Sequence, residues 1–182
     1  MDDGPGRWRR LLNSWSASVI APAPESRSVY LHPGQLVASV STCSISTILG
    51  SCVAVCVWDE ETGVGGMNHF LLPHFAGRGA SSPRFGNVAI GQLLMRLSDC
   101  GARRSRMRAK IFGGANVLEA LRGVGGSLGR SNVEVARRLL REAEVPVVAE
   151  DVEGDRGRKV IFRTDDGSAR VKLLSGERHA IA

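Results

Sequence analysis

The feature that most limits how this chain can fold is a pair of short apolar runs separated by a turn. Residues 53–58 are apolar at every position, which is typical of a strand buried on both faces. Residues 59–63 have the composition of a turn, and residues 67–72 return as a second predicted strand. The two runs therefore predict a hairpin inside a sheet that other layers cover on both sides.

Strand and helix patterns continue on both sides of this hairpin. Helical spacing predicts one helix over residues 85–100, and Ser131 with Glu134 predicts a capping box for a second helix, which Pro146 should end. The other predicted strands are residues 35–40, 44–49, 107–112, 147–150, 159–163 and 169–174. Together these elements predict a mixed α/β fold, a layered α/β sandwich with an antiparallel or mixed sheet core and two main helices.

The length of 182 residues fits one domain, which we place at residues 29–182 after an N-terminal tail of residues 1–28. No apolar run is long enough to cross a membrane, and the N-terminus has no secretory signal pattern. The four cysteines lack the spacing of a disulfide framework. These features predict a soluble protein of the reducing cytoplasm without membrane insertion.

The chain is basic, with a formal charge of +6 and a pI near 9.8. Such a charge permits binding to nucleic acid or to an acidic protein surface. Aromatic residues make up only 5% of the chain, which leaves few side chains for stacking on bases. We therefore expect no nucleic-acid partner.

Cys52 is the first candidate for chemistry. Gly50 lies two residues before it, where a glycine permits a sharp backbone turn and leaves space around a thiol. A cysteine becomes a good nucleophile only when a nearby base or dipole helps it to lose its proton. The alternative is a buried structural cysteine, which is the preferred interpretation for Cys56.

His69 is the matching candidate base. If the hairpin turn is centred near residues 61 and 62, Cys52 lies opposite Leu71. His69 then lies on the same face as Cys52, one diagonal step away, and a slip of one residue would reverse its side. A hydroxyl from Ser46 or Thr47 could orient the imidazole ring, and strand alternation allows only one of the two to do so.

A zinc site is the competing interpretation of these residues. Cys52 and Cys56 are four positions apart, and His69 and His74 are five apart. On strands these spacings do not bring four ligands together, and no pair of CxxC motifs is present. We therefore expect neither a metal nor a cofactor.

The chain resembles the CheD family over residues 30–175. The resemblance is carried mainly by residues 47–73, TILGSCVAVCVWDEETGVGGMNHFLLP. It is also carried by Arg84-Phe85-Gly86, by AKIFGGA at residues 109–115, and by Gly129 with Asn132-Val133. The resemblance implies a deamidase that converts particular glutamines of methyl-accepting chemoreceptors to glutamate, and it implies a layered α/β sandwich.

The resemblance also implies roles for individual residues. It places the nucleophile at Cys52, the histidine at His69 and the third residue at Ser46, with the adjacent Thr47 as the alternative. The reaction would pass through a thioester, and the backbone amide of Cys52 is the expected oxyanion donor. A CheC-like phosphatase is the implied partner besides the receptors. The alternative function is an adaptor that binds receptors or such a phosphatase without catalysis.

Overall fold

The computed structural model describes residues 27–75, 77, 81–116 and 128–175, so the predicted tail lies outside the described residues up to residue 26. The described residues form nine β-strands, two α-helices and a short 3-10 helix at Arg104–Arg106. The strands and helices are β1 Arg27–Tyr30, β2 Leu36–Ser39, β3 Cys43–Leu49, β4 Val53–Asp59, β5 Gly65–Phe70, α1 Gly86–Asp99, β6 Met107–Gly113, α2 Leu128–Glu142, β7 Val147–Val152, β8 Arg158–Arg163 and β9 Ala169–Leu173. The predicted mixed α/β fold with two main helices is confirmed. None of the described helices is long and apolar enough to span a membrane.

The strands form two mixed sheets. The first sheet has the order β1-β3-β8-β9, and the second has the order β2-β5-β4-β6-β7. The pairs β1–β3 and β6–β7 are parallel, and the other pairs are antiparallel. β1, which was not predicted from the sequence, lies at the edge of the first sheet.

Two hydrophobic cores divide the molecule into three layers. One core joins α1 and α2 to the second sheet, and the other lies between the two sheets. β4 is the strand that serves both: Val53, Val55 and Val57 face the helices, and its even-numbered residues face the first sheet. This double burial explains why β4 is apolar at every position from residue 53 to residue 58.

The hairpin of β4 and β5 has the register predicted from the sequence. Val53 pairs with Phe70 and Ala54 with His69, and the ladder runs without a shift to Trp58 and Gly65. No bulge therefore occurs at Gly65 or Gly66. A Cβ on Gly66 would lie 2.3 Å from the carbonyl oxygen of Val37, so close packing explains this glycine.

The two helices differ in how well their ends were predicted. α1 ends at Asp99, close to the predicted end at residue 100, and Gly101 beyond its C-cap adopts the left-handed φ of 95° that is common after a helix. The capping box predicted at Ser131 is wrong, because α2 begins at Leu128 and Ser131 lies within it. α2 also ends at Glu142, before Pro146, since Glu144 adopts a left-handed φ of 56°.

Candidate active site

The candidate nucleophile and base both lie at one end of the β4–β5 hairpin, on the side of the second sheet that faces the first sheet. Cys52 is half-buried directly before β4 and packs against the inter-sheet core. His69 lies on β5, opposite Ala54, and is 1% exposed. Both side chains lie on the same face of the second sheet, as the predicted register required.

Thr47 holds the imidazole of His69 from the opposite sheet. The Thr47 hydroxyl donates to the carbonyl oxygen of Leu31 at 2.7 Å and lies 2.9 Å from His69 Nδ1. A hydroxyl has one hydrogen, and here the Leu31 carbonyl takes it. The Thr47 oxygen therefore accepts a hydrogen bond from Nδ1–H, and the lone pair of the neutral ring lies on Nε2.

Ser46 does not occupy this position. The odd-numbered residues of β3, Cys43 to Leu49, are buried against the inter-sheet core, and Ser46 lies on the outer face of the strand. The expectation that the Ser46 hydroxyl contacts His69 is wrong, and the Thr47 hydroxyl makes that contact. Alternation along the strand explains why only one of the two adjacent hydroxyls reaches the imidazole.

The imidazole is held in its neutral form. Burial lowers the pKa of His69 to about 4, and the nearby His32 lowers it further, against the opposing effect of the Leu31 carbonyl. Nε2 is buried and has no hydrogen-bond partner among the described residues. His69 is therefore an unprotonated base at neutral pH, with its basic nitrogen not engaged by the protein.

The thiol of Cys52 is also neutral at rest. Burial raises its pKa above the ordinary cysteine value, and the backbone N–H of Cys52 itself partly opposes that effect. The pair therefore differs from a preformed thiolate–imidazolium pair, since both groups lose solvation in their charged forms.

The loop before β4 is anchored through three consecutive carbonyl groups. The carbonyl of Gly50 accepts from Ala115 N at 2.8 Å, and that of Cys52 accepts from Gly114 N at 2.8 Å. The carbonyl between them, on Ser51, accepts from Asn132 Nδ2 at 3.0 Å. The segment after β6 and helix α2 thus set the path of residues 50–52, which we call the nucleophile loop.

Close backbone packing around this loop requires glycine. Gly113 has a φ of 106°, and a Cβ built there would lie 2.2 Å from the carbonyl oxygen of Cys52. A Cβ on Gly129 would lie 2.2 Å from the carbonyl oxygen of Gly114. Neither position accepts a side chain without moving the nucleophile loop or α2.

The other residues considered as metal ligands, Cys56 and His74, do not form a metal site with Cys52 and His69, the pair that we call the dyad. Cys56 is fully buried in the inter-sheet core, and burial raises the pKa of its thiol. The His74 ring lies instead 3.3 Å from Arg138, on the exposed side of α2. Among residues 27–75, 77, 81–116 and 128–175, no group of three or more His, Cys, Asp or Glu residues could hold a metal ion.

Comparison with known proteins identifies the family. A family model described as "CheD chemotactic sensory transduction" matches residues 71–173, which begin after both Cys52 and His69. The chain belongs to the CheD family. A protein of Anaeromyxobacter dehalogenans named "Probable chemoreceptor glutamine deamidase CheD 1" is 53% identical over 146 residues, which are 80% of this chain and 84% of that protein. A protein of Trichlorobacter lovleyi named "Probable chemoreceptor glutamine deamidase CheD" is 43% identical over 141 residues, 78% of this chain and 87% of that protein.

Two buried polar residues of this CheD chain near the site, Asn132 and Arg158, were not predicted from the sequence to have a role. Asn132 was noted only as part of a matching block, and it bonds the nucleophile loop. Arg158 is 2% exposed, and its guanidinium binds the carboxylate and carbonyl of Asp151 and the carbonyl of Glu153. Glu153 N in turn donates to the carbonyl of Gly113 at 2.8 Å, so Arg158 supports the segment that contacts Cys52. A polar residue within an otherwise apolar helical face was the sequence signal for Asn132.

Proposed function

We propose that this chain is a cysteine hydrolase that deamidates glutamine side chains of methyl-accepting chemoreceptors. The observation that carries the proposal is the buried Thr47–His69 hydrogen bond at 2.9 Å, which leaves Nε2 of the base available on the face that holds Cys52. Membership of the CheD family and the names of its close relatives supply the substrate class. The substrate and the roles of the residues belong to the proposal.

The reaction begins with proton transfer within the dyad. Nε2 of His69 takes the proton of Cys52 Sγ while the sulfur attacks the side-chain amide carbon of a glutamine. The C–S bond forms and the amide C=O bond becomes a C–O⁻ single bond. His69 then returns the proton to the amide nitrogen, ammonia leaves, and a thioester remains.

Hydrolysis of the thioester uses the same base. Nε2 takes a proton from water and the water oxygen attacks the thioester carbon. The C–S bond then breaks while Nε2 returns the proton to the sulfur, which releases glutamate and regenerates the thiol. In both halves the transient imidazolium keeps its Nδ1–H bond to Thr47, whose hydroxyl is fixed by the Leu31 carbonyl. The hydroxyl thus keeps the ring in the tautomer that the reaction requires.

The oxyanion formed in each half needs a hydrogen-bond donor. The backbone N–H of Cys52 is the proposed donor, because it belongs to the attacking residue and the carbonyl of the same peptide, on Ser51, is held from the opposite side by Asn132. Removal of one such donor from an acyl-transfer enzyme typically lowers kcat about 10²- to 10³-fold. Each proposed step uses only groups of the chain itself, the substrate and water.

The test is mass spectrometry of a purified chemoreceptor cytoplasmic fragment incubated with the full chain. Deamidation adds about 1 Da at each modified glutamine, because an amide NH₂ is replaced by OH. The Cys52→Ala variant should give no product, whereas Cys56→Ala should retain turnover in its folded fraction, since Cys56 lies in the core. Turnover by Cys52→Ala equal to that of the wild type would contradict the proposal.

The non-catalytic adaptor function is tested with the same proteins. An adaptor requires neither an oriented imidazole nor a thiol, so alkylation of Cys52 with iodoacetamide would leave receptor binding unchanged and there would be no deamidation to lose. A deamidase loses its product formation on alkylation while the receptor fragment still binds. A CheC-like phosphatase is the second proposed partner, and co-purification with the wild-type chain tests it.

A further inference from the structure

We propose that Asn132 is a positioning residue for the oxyanion hole and acts through the peptide that joins Ser51 to Cys52. The inference rests on the proposed deamidase function, because it concerns the charge that develops during acyl transfer. The hydrogen bonds of the Asn132 side chain go to backbone carbonyls and not to the thiol or the imidazole. Its effect on the reaction is therefore indirect.

The Asn132 amide joins α2 to the two segments that carry the dyad. Nδ2 donates to the carbonyl of Ser51 at 3.0 Å and to the carbonyl of Leu71 at 2.9 Å, and the side chain is fully buried. Ser51 directly precedes the nucleophile, and Leu71 follows the base by two residues. Both Nδ2 hydrogens are thus used to hold the nucleophile loop beside the end of β5.

The bond to Ser51 fixes the direction of the Cys52 N–H. A trans peptide is planar, so its C=O and the following N–H point in opposite directions, and the described residues contain no cis peptide. The Ser51 carbonyl points toward Asn132 on α2. The Cys52 N–H therefore points away from Asn132, and the Cys52 side chain packs against the inter-sheet core.

Among the residues that the structure describes, no other hydrogen bond to the Ser51 carbonyl is present. The carbonyls on either side, of Gly50 and Cys52, are held by backbone amides, whereas the Ser51 carbonyl is held by a side chain. Loss of the Asn132 donor would release only the peptide that carries the oxyanion donor. A hydrogen bond to a peptide carbonyl also polarises its N–H and strengthens it as a donor.

Helix packing alone does not explain an asparagine here. Asn132 lies beside Val133, Val135 and Ala136 on the buried part of α2, and its Oδ1 has no partner among the described residues. A buried acceptor without a partner costs about 1–3 kcal/mol. The amide is therefore a costly choice for packing, and its contribution lies in the two bonds that Nδ2 donates.

The test compares two reactions of the same thiol in the Asn132→Asp variant of the full chain. Acylation of Cys52 by p-nitrophenyl acetate forms an oxyanion, whereas alkylation by iodoacetamide displaces iodide and forms none. We expect acylation to slow by about 10²- to 10³-fold. Alkylation, which depends on thiol ionisation and access, should stay within a factor of about three. Mass spectrometry of the Cys52 peptide measures both rates on one folded sample.

Asn87→Asp is the matched control. Asn87 is an asparagine on the other helix, α1, and donates to the carbonyl of Phe75 at 3.3 Å, outside the nucleophile loop. It should leave the ratio of acylation to alkylation unchanged. If Asn132→Asp does not fold, Asn132→Ser, which retains one shorter donor, is assayed by the same ratio.

The outcomes separate this inference from the proposed function. A selective loss of acylation supports the positioning role, and equal changes in the two rates, or no change in either, overturn it. The assay contains no receptor. A wild-type chain that acylates normally but never deamidates a receptor fragment would refute the proposed substrate and leave the role of Asn132 standing.

Discussion

Replacement of Gly113 by alanine should destabilise the protein by more than the cost of placing an alanine at a positive φ, because the new Cβ would also clash with the nucleophile loop. The new Cβ would lie 2.2 Å from the carbonyl oxygen of Cys52, at a φ of 106°. An alanine held in the left-handed region costs about 1–2 kcal/mol. Relief of the clash requires the Cys52 carbonyl to move by about 1 Å, which adds the cost of overpacking, about 1–3 kcal/mol. The movement also weakens the 2.8 Å bond from Gly114 N, worth about 1 kcal/mol.

The chain contains a matched control for the backbone part of this cost. Gly101 has a φ of 95°, close to that of Gly113, but a Cβ built there meets nothing within 4 Å. Gly101→Ala should therefore lower the free energy of unfolding by about 1–2 kcal/mol. Gly113→Ala should lower it by about 3–6 kcal/mol, the sum of the three terms.

Urea denaturation of the two variants measures the difference, and the rate of Cys52 alkylation on the folded fraction reports the position of the thiol. Alkylation should change in Gly113→Ala and stay at the wild-type rate in Gly101→Ala. Equal destabilisation by the two substitutions, with the same alkylation rate, would refute the claim that Gly113 is required by the approach of the Cys52 carbonyl.

Four further predictions concern the site and the scaffold. Thr47→Val keeps the shape of the side chain but removes the hydroxyl that orients His69, so receptor deamidation should slow at least about tenfold. Ser46→Ala, on the outer face of the same strand, should keep the wild-type rate, and the reverse result would return the orienting role to Ser46. Because burial lowers the pKa of His69 to about 4, the base stays unprotonated down to that pH, and the acid limb of kcat/KM should fall near pH 4; a limb near 6.5 would contradict a buried base. Burial of Asp59 raises the pKa of its carboxyl group. Hydrogen bonds from the backbone N–H groups of Arg103, Glu61 and Thr62 and from the Arg106 guanidinium outweigh burial and lower that pKa from 3.8 to about 2. The contribution of Asp59 to stability, about 2 kcal/mol, is therefore complete above pH 3.8 and is lost as the pH falls toward 2; urea titrations of the wild type and Asp59→Asn across this range measure it, and parallel curves would count against it. Gly91 lies in α1 with nothing within 4 Å of a built Cβ, so Gly91→Ala should raise the free energy of unfolding by about 0.5–1 kcal/mol in the same assay, and a decrease would show that the position is not open.

The sequence predicts that Cys52 and His69 lie on one face of the hairpin, because that prediction needs only the strand period and the position of the turn. A strand alternates its faces with a period of two, and the turn composition at residues 59–63 sets the register of the hairpin. Those two facts suffice to bring Cys52 and His69 to one face, and the structure has that register. The same alternation predicted that only one of Ser46 and Thr47 could reach the imidazole.

The identity of that hydroxyl depended on a contact between two sheets. Thr47 lies in the first sheet and His69 in the second, so their contact depends on how the two sheets pack. Apolar Cys43, Ile45 and Leu49 alternate with Ser44 and Ser46, so the sequence favours burial of the odd-numbered face that carries Thr47. The sequence of β3 does not give which residue of the other sheet that buried face meets. The start of α2 was predicted wrongly for a related reason. Ser131 and Glu134 match a capping box in sequence, but the first turn of α2 packs against Gly114 through Gly129, a tertiary contact that the local pattern does not contain.

The sequence separations within the site imply an order in which folding assembles it. Cys52 and His69 belong to one hairpin, whereas the Thr47–His69 bond spans 22 residues and the Asn132 bonds span 61 and 81 residues. Closing a longer loop costs more conformational entropy, and contacts between distant residues slow folding. We therefore expect the chain to bring thiol and imidazole together before the Asn132 bonds fix the direction of the Cys52 N–H. Under the proposed mechanism, a partly folded chain would hold a thiol and an imidazole without the oxyanion donor in place, and acyl transfer would begin only once the last long-range contacts form.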